Sequence, residues 1–187
     1  MQTEQLIIRF IKNSDIDAFY NLVSNKKIVD DMPLVANKTD AEKKLAKMVE
    51  DTLSGKNYTF ALIYKKDNKF IGFIQLNIPQ NSCGELSCII HPDYWNKGLG
   101  SEGMLAIERF ALEKLQLKLL RGVCTAFNHA CTSLFKNVLD FEYICTQFIN
   151  GKDYLLFEKR TKSASVDGEI YRHKLEEQLV KNNKANK

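Results

Sequence analysis

The sequence predicts an α/β (α+β) domain with a central, mixed but mostly antiparallel, twisted sheet of about seven strands flanked by about four helices. Three observations support this fold. Apolar residues alternate with polar ones in some segments, as in strands, and recur every three or four positions in others, as in helices. The resulting order of elements is β, α, α, β, β, β, α, β, α, β, β. Short turns between consecutive strands indicate hairpins, which an all-parallel sheet does not contain.

The predicted elements all fall within residues 1–161, which we expect to form one domain. In chain order they are a strand at 5–10, a helix at 13–23, a helix from Thr39 to about Thr52, strands at 58–66 and 69–78, a strand at 84–91, a helix from Ser101, a strand at 117–127, a short helix at 130–139 and two strands within 143–160. The last two strands flank Asn150-Gly151, the strongest short hairpin signal. Residues 162–187 are polar and predict a tail that is helical and then disordered.

Helix starts and one turn are marked by polar residues in the first half of the chain. Asn13 or Ser14 can cap the first helix. Thr39 followed by Glu42 matches the capping box, in which each side chain bonds the backbone N–H of the other residue. Two β-rich segments flank Asp67-Asn68 and predict a hairpin.

The strand before the glycine-rich loop separates two kinds of side chain. Because strand residues alternate between faces, Leu86, Cys88 and Ile90 lie on one face. Glu85 and Ser87 lie on the opposite face. The strand therefore has an apolar face and a polar face.

Composition excludes several classes of function. The chain is 44% hydrophobic and 27% charged, as in ordinary globular proteins, and its net charge of +4 is too small and too evenly spread to favour nucleic acid. The N-terminus shows no signal peptide, and no apolar segment approaches the roughly 20 residues of a membrane span. Five cysteines, an odd number without framework spacing, indicate reduced thiols. We therefore expect a cytoplasmic protein without membrane or nucleic-acid partners.

A glycine-rich loop separates a predicted strand from a predicted helix. Residues 98–103 match G-x-G-x-x-G, the spacing of dinucleotide-binding loops. A Rossmann unit is excluded because the loop follows hairpin strands and the next strand ends without an acid for the ribose. A Walker loop is excluded because no Lys-Ser or Lys-Thr follows the second glycine. Two alternatives remain, a backbone site for another diphosphate at a helix N-terminus and a tight turn without a ligand.

The segment ELSCIIHPDYWNKGLGSEG, residues 85–103, resembles the acyl-CoA loop of the GNAT N-acetyltransferases. Their pattern is Gln/Arg-x-x-Gly-x-Gly/Ala, and Trp95 stands in the Gln/Arg position. The Tyr-Trp pair before the glycines is similar to the RimJ/RimL branch, which acetylates N-termini of ribosomal proteins. IIHPDYWNKGLG and FINGKDY also resemble bacterial spermidine/spermine N-acetyltransferases. The resemblance covers about residues 4 to 160 and implies the GNAT fold, with acetyl-CoA as co-substrate.

The resemblance also implies which residues contact acetyl-CoA. Ile89 and Ile90 would pair with the pantetheine amides, and a backbone N–H there would polarise the thioester oxygen. Asn128 would orient the pantetheine arm, and its alternative role is to cap a helix. The residues whose backbone would bind the pyrophosphate are Asn96, Lys97, Gly98, Leu99, Gly100 and Ser101.

The reaction that the resemblance implies is direct attack of a primary amine on acetyl-CoA in a ternary complex. Because amines are mostly protonated at neutral pH, a base is needed, and Glu85 stands where some family members place a catalytic Glu. Burial would make this carboxylate more basic, and the alternative is an ion pair with a lysine. The family's tyrosine, which protonates the departing sulfur, is replaced by Phe135. Cys131 is a candidate donor in its place, or a small apolar helix residue. The family's Gly-Phe becomes Asp140-Phe141, one residue later.

The acceptor and the class of function stay open at this point. Peptide N-termini, polyamines and other small amines all fit. Asp30 and Asp31 could attract a cationic amine, or they are solvated loop residues. The missing tyrosine favours a non-catalytic acyl-CoA-binding regulatory module, whereas Glu85 disfavours it. Cysteines and histidines lack metal-ligand spacing, so no metal is predicted, and a homodimer is compatible with the sequence.

Overall fold

The computed structural model of the chain describes residues 1–28, 35, 37–80 and 82–161. Its strands and helices are β1 (Leu6–Phe10), α1 (Ile16–Val23), α2 (Lys38–Leu53), β2 (Asn57–Tyr64), β3 (Lys69–Gln80), β4 (Cys83–Ile90), α3 (Leu99–Arg109), β5 (Leu119–Thr125), α4 (His129–Ser133), β6 (Glu142–Ile149) and β7 (Lys152–Arg160). One seven-stranded sheet has the order β1-β2-β3-β4-β5-β7-β6. All neighbouring strands are antiparallel except β4 and β5, which are parallel. The predicted fold class and order of elements are confirmed.

The sheet separates two hydrophobic cores because alternate strand residues point to opposite faces. On one face, α1 and α2 pack through Phe19 and Leu45 against Phe73 of β3. On the other face, α3 packs through Met104 against Leu86 of β4. Full burial of a side chain of this size contributes about 1.5–3 kcal/mol relative to exposure. The two cores therefore hold β4 firmly between the helix layers.

Neither predicted capping residue begins α1, because both lie in a 3-10 turn, Asn13–Asp15, that precedes the helix. Asp15 ends this turn and is buried. Its carboxylate accepts hydrogen bonds from the Arg9 guanidinium at 2.6 and 2.8 Å and from the backbone N–H of Lys12 at 2.9 Å. An ion pair with β1 thus fixes the entry to α1.

The starts of α2 and α3 also differ from the predicted ones. Asn37 caps α2, and its Oδ1 accepts a hydrogen bond from the Asp40 N–H at 2.9 Å. The predicted capping box at Thr39 is therefore wrong, because an asparagine two residues earlier satisfies the first turn. Helix α3 begins at Leu99 rather than at Ser101.

Several predictions concern residues outside the described ranges. Asp30, Asp31 and the tail at 162–187 belong to this group, so their predicted roles stay predictions, as does the domain boundary. Within the part of the chain that the structure describes, no helix is long and apolar enough to cross a membrane.

Candidate functional site

A gap opens between the two parallel strands in the middle of the sheet. Strands β4 and β5 pair only from Cys83 with Leu119 to Leu86 with Gly122. Beyond that pair, which we call the apex of the gap, the end of β4 continues alongside β3 and the end of β5 alongside β7. Each strand thus presents an edge to the gap without being paired to the other.

The register of β4 decides which backbone groups face this gap. The N–H of His91, directly after β4, donates to the carbonyl of Ile71 at 2.7 Å. Because every second residue of an antiparallel strand bonds the same partner, the residues of β4 two and four positions before His91 also turn their backbone groups toward β3. The backbone groups of Ile89 accordingly face β3, so the predicted pairing of Ile89 with pantetheine is wrong. Those of Cys88 and Ile90 face the gap. The Ile90 carbonyl accepts a hydrogen bond from Nε1 of Trp95 at 2.7 Å. The residue in the family's Gln/Arg position thus ties the loop back to the strand edge.

The glycine-rich loop lies at the open end of the gap. Asn96 has a φ of 59° and Gly98 a φ of 74°, and α3 begins at Leu99. A Cβ placed on Gly100 would lie 3.7 Å from Cγ1 of Ile90 and 4.0 Å from Sγ of Cys88, so the first turn of α3 abuts the end of β4. The loop residues named from the sequence are therefore brought to the same place as Ile90. Unpaired N–H groups of the first helical turn and the positive end of the helix dipole favour an anion there.

Side-chain contacts hold the loop in shape. The Tyr94 hydroxyl donates to Asp67 Oδ2 at 2.7 Å, which raises the pKa of Tyr94 to about 12 and lowers that of Asp67. Lys97 Nζ donates to the carbonyl of Asp93 at 2.8 Å and lies 4.9 Å from the centre of the Tyr94 ring. Glu102, in the first turn of α3, accepts hydrogen bonds from the backbone N–H and the side chain of Gln5 at 2.7 and 2.9 Å. The loop is thus anchored to the β2–β3 turn and α3 to the segment before β1.

Glu85 lies next to the apex, on the α1/α2 face of the sheet. Its side chain is exposed rather than buried. Within the described ranges it makes no ion pair with a lysine. Its partner in the strand register is Arg121, whose Nε donates to Oε1 of Glu158 at 2.8 Å. That hydrogen bond raises the pKa of Arg121. Burial acts to raise the pKa of Glu158, but its bonds to Arg121 and to Arg160 at 3.0 Å outweigh burial and lower it.

The helix after β5 supplies the other predicted residues. Oδ1 of Asn128 accepts a hydrogen bond from the N–H of Cys131 at 2.9 Å, so the capping alternative for Asn128 is observed. Cys131 is half-buried in the first turn of α4 and packs against the core. Phe135 is buried, and its ring covers Gly122 at the apex so closely that a Cβ there would overlap it. A ring without a hydroxyl thus stands at the apex.

A π-helical turn, Leu134–Val138, follows α4. Its hydrogen bonds join residues five apart rather than four as in an α-helix, as from the Leu139 N–H to the Leu134 carbonyl at 3.0 Å. Asp140 then adopts a φ of 56° directly before Phe141.

Cysteine thiols and potential metal ligands were also candidates for a functional site. Cys88 is partly buried and packs against the core, and this burial raises the pKa of its thiol to about 12. Among the described residues, no three His, Cys, Asp or Glu side chains are grouped so that they could hold a metal ion.

Sequence analysis missed Arg121 and Glu158. Alternation along β5 could have placed Arg121 on the same face as Glu85. The partnership with Glu158 depends on the β5–β7 register, which no local pattern reveals.

Comparisons with known proteins show which family and which solved structures this chain is similar to. The family profile described as acetyltransferase (GNAT) domain matches residues 5–138. None of the curated proteins matches this chain in sequence. Among solved structures, the ribosomal-protein-S5-alanine acetyltransferase from Vibrio fischeri is similar with a TM-score of 0.77 at 17% identity, over 88% of this chain and 98% of that one. RimL, a ribosomal L7/L12 α-N-protein acetyltransferase solved with coenzyme A, has a TM-score of 0.76 at 14% identity, over 84% and 95% of the chains.

A third similar structure is the spermidine N-acetyltransferase from Vibrio cholerae in complex with CoA and spermine, with a TM-score of 0.74 at 18% identity, over 84% and 96% of the chains. The fold is thus one that acetyltransferases share. Because the family profile spans most of its length, the chain belongs to the acetyltransferase (GNAT) family, which uses acetyl-CoA.

Proposed function

We propose that this protein is an N-acetyltransferase that moves the acetyl group of acetyl-CoA to a primary amine by direct attack in a ternary complex. The gap between β4 and β5, with an anion-favouring loop at its open end and Glu85 at its apex, carries this proposal. Acetyl-CoA lies along the gap, with its pyrophosphate on the loop and its thioester near the apex. The acceptor approaches from the α1/α2 face, where Glu85 is exposed.

The loop and the strand edge divide the binding of acetyl-CoA between them. Backbone N–H groups from Asn96 to Ser101 hold the pyrophosphate at the start of α3. The gap-facing groups of Cys88 and the N–H of Ile90 pair with the pantetheine amides, as a neighbouring strand would, while the Ile90 carbonyl keeps its bond to Trp95. A gap-facing N–H of the same edge polarises the thioester oxygen.

The chemistry needs one proton removed and one sulfur released. The neutral amine nitrogen attacks the thioester carbon, so an N–C bond forms and the C–S bond breaks. Glu85 accepts the proton that the nitrogen loses, and coenzyme A departs as a thiolate.

The Tyr94-Trp95 pair supports a RimJ/RimL-like branch, and the free thiols of the five cysteines support a cytoplasmic location. Homodimer formation stays a prediction.

Trp95 makes the proposal directly testable. It is the only tryptophan of the chain, it lies in the loop, and its side chain is 42% exposed. Acetyl-CoA should therefore change the intrinsic fluorescence on titration, whereas NAD should not. Release of coenzyme A that depends on an added amine then shows transfer. A fluorescence response to NAD but not to acetyl-CoA would instead support a dinucleotide-binding loop.

Phe135 at the apex favours a second candidate, a regulatory module that binds acyl-CoA without turnover. The ring offers no proton to the departing sulfur. The two candidates predict the same binding curve and differ in turnover. Acceptor-dependent release of coenzyme A from any member of a broad amine and peptide panel would exclude the module.

A further inference from the structure

A row of charged side chains crosses the sheet next to the apex of the gap. Glu85 is paired in register with Arg121, and Arg121 is paired with Glu158. Paired residues on neighbouring strands share a face, and the strands lie about 4.8 Å apart. A carboxylate and a guanidinium therefore stand side by side on the α1/α2 face, at the last residues on that face before the strands part.

Arg121 is held in place through its Nε, which leaves its two terminal nitrogens to bind a ligand. Its Nε donates to Glu158, whose side chain is only 8% exposed and which also accepts a hydrogen bond from Arg160. Among the described residues, the terminal nitrogens of Arg121 donate to no acceptor, and its side chain is 38% exposed. A guanidinium has five N–H donors in a planar fork, which suits a second carboxylate. Arg121 can thus bind an external anion while it keeps Glu158.

The surface beyond Arg121 is apolar. Val123 follows on the same face of β5 and is 54% exposed. Its register partner is Leu156 of β7. The acceptor side of the gap therefore offers a carboxylate, a guanidinium and an apolar floor in succession.

We propose that the acceptor carries an anionic group within a few bonds of its reacting amine, with the amine at Glu85, the anion on Arg121 and any apolar body against Val123. This inference rests on the proposed function and names its substrate class. A free amino acid and a peptide that begins with aspartate share this chemistry. A polyamine does not, because its second cation would meet Arg121 at close range.

Acceptors that differ in the group beside the reacting amine test the proposal. Leucine, leucinamide and isopentylamine share a side chain, and two peptides that begin with Asp or Asn extend the comparison to chain termini. Release of coenzyme A from acetyl-CoA gives kcat and KM for each. We expect kcat/KM to be at least tenfold higher for leucine than for leucinamide, or for the Asp peptide than for the Asn peptide. The pair that shows the difference identifies the source of the anion.

Variants of Arg121 show whether this side chain is responsible. Arg121→Gln should abolish the preference, mainly through a higher KM for the anionic acceptor, and Arg121→Lys should retain part of it. Arg109→Gln is the matched control, because Arg109 is 76% exposed on α3, away from the gap. The Trp95 response to acetyl-CoA shows in each variant that the site is folded.

Several results would overturn the inference. A preference of the wild type for leucinamide or spermidine would do so, as would an anion preference that survives in Arg121→Gln. If no acceptor is turned over, the affinities of leucine and leucinamide for the CoA-bound protein make the same comparison, and equal affinities refute it. If acetyl-CoA does not change the Trp95 fluorescence of the wild type, the proposed function is refuted instead.

Discussion

Gly98 offers a quantitative test of the loop. Its φ of 74° lies in the left-handed region, and a Cβ built there meets no atom within 4 Å. A substitution at this position therefore changes the conformational energy of the loop without a clash. An L-residue in this conformation costs about 1–2 kcal/mol, and a β-branched residue costs more.

The strain divides between folding and binding. If the substituted loop keeps its shape, the whole cost lowers the free energy of unfolding. If the loop relaxes, stability falls less, but acetyl-CoA must restore the strained shape and binds more weakly. For Gly98→Ala the two losses should sum to about 1–2 kcal/mol, which equals a 5- to 30-fold rise in Kd if all of it appears in binding. Gly98→Val should exceed this sum, because its branched side chain also stands beside the N–H groups that face the ligand.

The assay combines denaturant unfolding with Trp95 fluorescence titration of acetyl-CoA. Gly151 provides the matched control, since its φ is 80° and a Cβ there also meets nothing within 4 Å. Gly151→Ala should lower stability by a similar amount and leave the Kd for acetyl-CoA unchanged. A Gly98→Val variant that binds acetyl-CoA like the wild type would refute the assignment of the loop to the pyrophosphate.

Three further outcomes are expected. Glu85→Gln should keep acetyl-CoA affinity and lower kcat by roughly a hundredfold or more, the usual effect of losing a positioned base; a wild-type kcat would remove Glu85 from the mechanism. Because burial raises the pKa of Cys88 to about 12, iodoacetamide at pH 8 should modify it at least about a hundredfold more slowly than free cysteine, and equal rates measured by mass spectrometry would contradict this burial. The pKa of Glu158 is lowered in the folded state from 4.5, so the stability it contributes is present above that value and is lost as pH falls through the folded-state pKa. Thermal unfolding between pH 3 and 6 should therefore depend less on pH in Glu158→Gln, and parallel curves for both proteins would argue against the ion pairs.

Local patterns predicted the elements because each is coded within a few residues. Alternation in β4 placed Leu86 in the core and Glu85 on the opposite face, as observed. Local patterns did not identify the capping residues, because several polar residues near the start of a helix can cap it. Asn37 rather than Thr39 caps α2, since its side chain reaches the N–H three residues on.

The candidate site needed information that lies far apart in the chain. The gap exists because β4 and β5 stop pairing after Leu86 and Gly122, which is a property of two strands that are distant in sequence. The ion pair between Arg121 and Glu158 spans 37 positions. The exposure of Glu85 likewise depends on what packs above the strand, so its sequence pattern could not decide between a buried base and an exposed one.

Phe135 and Glu85 depart from the expected chemistry to different degrees. Thiols such as that of coenzyme A ionise near pH 8.5, whereas the conjugate acid of a lysine-like amine has a pKa near 10.4. In the tetrahedral intermediate the thiolate is therefore the weaker base, and it leaves without help once the nitrogen has lost its proton. A ring without a hydroxyl at the apex slows this step but does not block it. Without a positioned base, water must accept the proton that the amine loses, which slows the reaction by roughly a hundredfold or more at neutral pH. The activity of the chain therefore depends more on an exposed Glu85 than on the absent tyrosine.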